Sequence, residues 1–197
     1  MPEPASLEAA PPGPRAIEAL ARRIERPLVL VGLMGVGKST VGRKLAALLG
    51  FGFVDADEEI ERAAQMSIPE IFETYGEAYF RDGERRVIAR LIEEAGEAGN
   101  KVIATGGGAF VDPATRALIL ERGIAVWLDS DLDTLLERVS RRATRPLLKT
   151  GNPRETLERL RAERESAYSE APLRVESRAG PHQRTVLAIV SALDAWL

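Results

Sequence analysis

Leu28-Val29-Leu30-Val31 is an unbroken apolar run, the pattern of a strand buried on both faces. The spacing behind it predicts a helix over Lys38–Leu49, stopped by Gly50. Phe53-Val54 reads as a second strand, and apolar positions return at helical spacing from Ile60. Pro69 suits the first turn of a helix carrying Ile71 and Phe72, and a longer helix is predicted over 77–95. Val102-Ile103-Ala104 and residues 124–128 give the third and fourth strands. A helix over 132–139 follows, with Ser130 or Asp131 as its cap. The pattern breaks over 141–152, then resumes as a charged helix over Pro153–Tyr168, a short strand over 173–175 and a last helix opened by Pro181. Strand and helix in alternation predict the α/β class: a parallel sheet wrapped by helices on both faces, with ligands at the carboxyl ends of its strands.

The N-terminal end follows different rules. Five of the twelve prolines fall within residues 1–14, with almost nothing to pack, so this stretch reads as disordered. Glu3 and Glu8 stand where a signal peptide would carry basic residues, and none is expected. Ile17, Leu20 and Ile24 give residues 15–26 an amphipathic helical pattern. The expected division is an extension over 1–26 and a globular domain over 27–197.

Composition narrows the chemistry. Cys is absent, which excludes disulfides, thiolate zinc sites and a cysteine nucleophile. The one His, His182, is expected at the surface, and Trp127 and Trp196 in packed positions. A net charge of −3 gives no pull toward nucleic acid or an anionic membrane, and no apolar run is long enough to span a bilayer. Only 4 of the 27 basic residues are Lys, so each Lys invites a reason.

One such Lys completes Gly32-Leu33-Met34-Gly35-Val36-Gly37-Lys38-Ser39, a G-x4-G-K-[ST] phosphate loop between the first strand and first helix. A chain of this composition would contain that pattern by chance roughly 0.3 % of the time. Glycines let successive backbone N–H groups turn toward phosphate oxygens, and the helix N-terminus adds partial positive charge. Lys38 reaches the β and γ phosphates, and the Ser39 hydroxyl ligates Mg²⁺. The chain is therefore expected to bind a nucleoside triphosphate.

Two further strand ends carry candidate chemistry. Asp55-Ala56-Asp57 places two carboxylates on one side of the second strand's exit, one suited to a metal's water shell and one to a substrate hydroxyl. A cap for the helix starting near Glu58 explains Asp57 equally well. The third strand runs into Gly106-Gly107-Gly108, where a substrate can approach the backbone closely. Asp129, after the fourth strand, reads as a helix cap rather than a metal-side acid.

Gly32 to Thr40, Asp55-x-Asp57, Phe80-Arg81 followed by Glu84, the triple glycine, and Arg145-Pro146-Leu147-Leu148 occur in the order found in shikimate kinases, and the chain resembles that family from Pro27 to Ala192. The resemblance implies a three-layer P-loop kinase fold with a five-stranded parallel sheet of order 2-3-1-4-5. It implies transfer of the ATP γ-phosphate to the 3-hydroxyl of shikimate, one Mg²⁺ per subunit, a monomer and a cytoplasmic setting, with no nucleic-acid or membrane partner. Gly35, Val36, Gly37, Lys38, Ser39, Thr40 and Arg145 would hold ATP, and Ser39 with Asp55 the metal. Asp57, Arg81, Gly106, Gly107, Gly108 and Arg164 would bind the substrate, with Asp57, Lys38 and Arg145 catalytic. Arg81 and Arg164 resemble the pair that clamps the substrate carboxylate, Glu84 would orient Arg81, and Phe72 and Phe80 resemble pocket walls. Arg145 would face the transferring phosphoryl group within a lid over 142–152, while Arg141 and Arg142 read as a solvated charge run.

Two rivals differ in testable ways. A gluconate kinase also needs cations for an acid and aspartates for hydroxyls, but the full motif set favours shikimate. A GTPase usually carries Asn-Lys-x-Asp, and Asn100-Lys101-Val102-Ile103 lacks the Asp.

Overall fold

The computed structural model describes residues 12–140 and 152–197. Arg141, Arg142, Arg145 and the lid positions through 151 lie outside them, as does the chain before residue 12.

Thirteen elements follow one another among the described residues: α1 (Pro14–Arg23), β1 (Leu28–Val31), α2 (Lys38–Leu49), β2 (Gly52–Asp55), α3 (Ala56–Ala64), α4 (Ile68–Ala98), β3 (Lys101–Ala104), α5 (Pro113–Arg122), β4 (Ile124–Asp129), α6 (Leu132–Ser140), α7 (Pro153–Tyr168), β5 (Leu173–Glu176) and α8 (His182–Trp196). The strands form one sheet in the order β2-β3-β1-β4-β5, every pair parallel. Central β1 is buried at all four positions, whereas edge strand β5 alternates buried and exposed. Neighbouring strand residues face opposite sides. Leu30 meets α2 at Gly42, while Val29 meets Gly123 at the end of α5, so helices cover both faces.

Two local outcomes depart from the sequence pattern. The boundary at Pro27 leaves α1 outside the globular unit, yet Ile17, Leu20 and Ile24 are buried in the main core, and α1 packs on α2 and α8. Helix α5 is absent from the apolar pattern; its signal is the cap, Asp112 accepting the Thr115 N–H ahead of Pro113. The two helices expected on either side of residue 76 are present, joined end to end within α4 at Gly76, whose φ of 79° leaves the helical region. Ser67 caps its start in a reciprocal box with Glu70. The part of α4 before and around that break packs with α3 in a small core of its own, Ile60, Ile71 and Phe80.

Candidate active site

The phosphate loop leaves β1 and enters α2 at Gly37, a left-handed N-cap (φ 101°) that L side chains rarely adopt. No side chain caps that helix, so its first N–H groups remain available to an anion. The Val36 carbonyl fixes the loop from outside, accepting Arg138 Nη1 and Ser177 Oγ, each at 2.9 Å. The buried Lys38 ammonium donates to the Gly32 and Leu33 carbonyls at 2.7 and 3.0 Å.

Beside the loop, Ser39 Oγ donates to Asp55 Oδ2 at 2.6 Å. The other Asp55 oxygen accepts the Asp57 N–H at 3.1 Å, which makes Asp55 the N-cap of α3. The expected cap role of Asp57 is thus filled by Asp55, and the Asp57 side chain points into the cavity. Burial is the main reason its carboxyl is pushed up, from 3.8 to about 6. The Asp55 charge adds to the rise, and the Lys38 ammonium opposes it.

The far end is built on α4, α7 and the glycine turn after β3. Glu84, 1 % exposed, accepts Arg81 Nη1 at 2.6 Å, so the guanidinium is aimed from its own helix three residues away. Burial raises the Glu84 carboxyl despite the opposing Arg81 charge. Arg164 donates to the Gly107 carbonyl at 2.9 Å. The glycines let the site's side chains come close: a Cβ on Gly106 would lie 2.7 Å from Asp57 Oδ1, and one on Gly108 2.5 Å from Arg81 Nη2, so either would displace a side chain of the site. Phe72 and Phe80 line the same wall with ring centroids 4.5 Å apart, and Phe80 is also buried in the small core.

The two ends border one cavity of about 950 Å³, large enough for a nucleotide and a small acid together. It brings together Gly35, Gly37, Lys38, Ser39, Thr40, Asp55, Asp57, Arg81, Gly106, Gly107, Gly108 and Arg164. Val36 does not line it; its side chain is buried behind the loop. Arg138 and His182 border the phosphate end. The sequence gives Arg138 no motif, and the surface position expected for His182 is corrected by its ring lying against Gly37, where a Cβ would sit 3.1 Å from Cε1. Asp129 is not a cap either: Asp131 accepts the Thr134 N–H, and Asp129 pairs with Arg174 at 2.7 Å. Trp127 is buried as expected, but Trp196 is 41 % exposed.

A P-loop at the start of α2, facing Asp57, Arg81 and Arg164 across one hollow of a parallel sheet in this order, is the architecture of a P-loop kinase. The shikimate kinase family model matches residues 34–194. The chain is 70 % identical over 181 residues to a shikimate kinase of Novosphingobium aromaticivorans, covering 92 % of this chain and 94 % of that one. This chain belongs to the shikimate kinase family. A solved shikimate kinase from Acinetobacter baumannii in complex with shikimate matches at TM-score 0.79 and 38 % identity, covering 93 % of this chain and 98 % of the other. A gluconokinase from Sinorhizobium meliloti matches at TM-score 0.55 and 18 % identity, covering 87 % and 93 %, a likeness of fold alone.

Proposed function

We propose that this chain transfers the γ-phosphoryl group of ATP to the 3-hydroxyl of shikimate, giving shikimate 3-phosphate and ADP on the route to chorismate and aromatic amino acids. One observation carries the reading: Lys38 and the α2 N-terminus share a single cavity with Asp57, Arg81 and Arg164. Phosphoryl transfer demands mainly positioning and charge neutralisation. Lys38 and the loop N–H groups hold the phosphates, while the Arg81 and Arg164 forks suit a carboxylate at the opposite end. That arrangement leaves the ring hydroxyls toward Asp57, which holds the acceptor hydroxyl and takes its proton as the bond to phosphorus forms.

Ser39 and Asp55 form a hard-oxygen pair beside the loop, and a Mg²⁺ site built from few protein oxygens plus phosphates and water fits them. The ion, when bound, would neutralise charge on the β and γ phosphates. Arg145 would supply a further cation to the transferring group. The reading extends to a monomer acting in the cytoplasm.

A coupled assay offering shikimate and gluconate separately tests this reading. Turnover on shikimate alone is expected; turnover on gluconate with none on shikimate overturns it.

A further inference from the structure

Tyr168 ends α7 with its side chain almost wholly enclosed, 2 % exposed, and it does not border the cavity. Its ring stacks on Trp127 of β4, centroids 5.8 Å apart and 28° from parallel. A buried phenol needs a partner for its O–H. Here that partner is the Gly107 carbonyl at 2.5 Å, the same oxygen that accepts Arg164 Nη1 at 2.9 Å. Burial pushes the phenol up to about 12, so it stays protonated and remains a donor at working pH.

Gly107 and Gly108 are joined by a trans peptide, so fixing the Gly107 carbonyl sends the Gly108 N–H the opposite way. The same two residues run between the guanidinium groups. A Cβ on Gly107 would lie 3.5 Å from Arg164 Nη1, and one on Gly108 2.5 Å from Arg81 Nη2. Whatever holds this peptide therefore sets the seat of Arg164 and the backbone surface that lies against Arg81.

We propose that Tyr168 is a positioning residue for the acid-binding edge: by holding the Gly107 carbonyl from behind, it fixes the Gly107–Gly108 peptide and the Arg164 fork that meet the shikimate carboxylate. This rests on the assignment of Arg164 and the triple glycine to substrate binding. Filling the core alone would require the ring and not the oxygen, so Tyr168→Phe separates the two roles.

Shikimate KM, ATP KM and melting temperature are measured on the full-length parent, Tyr168→Phe, Arg164→Ala and the double variant. Loss of the hydroxyl is expected to raise shikimate KM about threefold or more, with ATP KM within about twofold and melting within a few degrees. In the double variant the two effects should combine to less than their product, because both residues act on one carbonyl. A smaller rise, an equal rise in ATP KM, or a full product overturns the positioning role. Should Arg164→Ala itself leave shikimate KM unchanged, the substrate-site assignment fails; if it raises KM while Tyr168→Phe does not, only the role of Tyr168 fails.

Discussion

Ser39 and Asp55 stand 16 residues apart in the chain and are joined by a 2.6 Å hydrogen bond from hydroxyl to carboxylate. Asp55 thereby does two jobs, capping α3 with one oxygen and facing the phosphate loop with the other. Asp55→Asn keeps a good capping side chain while removing the charge. It should raise the Mg²⁺ concentration for half-maximal activity by about tenfold or more, since contacts to charged groups contribute roughly 1.5–3 kcal/mol. A metal titration with an unchanged midpoint would remove Asp55 from the metal site.

Lys38→Ala removes the ammonium from the phosphate end. Turnover should fall about 100-fold or more, the scale seen when one preorganised donor is lost. Activity within about threefold of the parent corresponds to under 1 kcal/mol of barrier and would contradict the loop's role.

Glu84 holds Arg81 from a position that is 1 % exposed. Glu84→Gln keeps an acceptor oxygen for Arg81 but removes the carboxylate charge, and because losing one partner of a buried pair is destabilising, its melting temperature is measured alongside the kinetics. Shikimate KM should rise roughly tenfold with ATP KM unaltered, through misaimed bidentate contacts. Parallel rises in both KM values would show a general distortion instead.

Asp57 should titrate near 6 in the metal-free protein, visible as a carboxyl signal in a carbon NMR titration and absent from Asp57→Asn. Its proton is held more tightly in the folded chain, so its stabilising contribution is fully present below about 3.8 and is lost as pH rises through about 6. Above that pH, Asp57→Asn should be more stable than the parent by on the order of 2 kcal/mol in urea unfolding. A midpoint near 4, or equal stabilities at pH 7, would refute the burial of this carboxyl.

Leu20 on α1 is 2 % exposed within the main core. Leu20→Ala should cost about 2–4 kcal/mol of unfolding free energy, with kcat and both KM values unchanged at 25 °C. A loss below about 0.5 kcal/mol would return α1 to the status of an appendage.

The strands, the phosphate loop and the span of α7 were legible because each rests on local pattern: continuous apolar runs, fixed glycine spacing, Pro at a helix start. The roles of Asp55 and Asp57 were not separable that way. Asp55 ends the strand and Asp57 lies in the first turn of the helix behind it, and only the folded contacts of Asp55, to Ser39 and to the Asp57 N–H, show which of them is the cap. Arg138 and His182 carry no motif, and α6 and the start of α8 bring them to the loop through tertiary packing. The place of α1 was hidden for a related reason: a Pro-rich lead-in suggests a tail, while Ile17 and Leu20 on one helix face, with Ile24 just beyond its end, are buried in the main core.

The separate apolar cluster of Ile60, Ile71 and Phe80, with Gly76 breaking the helix beside it, gives the acceptor end its own foundation. Ile60, Ile71 and Phe80 are not part of the core beneath the phosphate loop, and Val87 packs against both clusters. Such a division of labour lets one architecture change what it phosphorylates while keeping the donor half untouched.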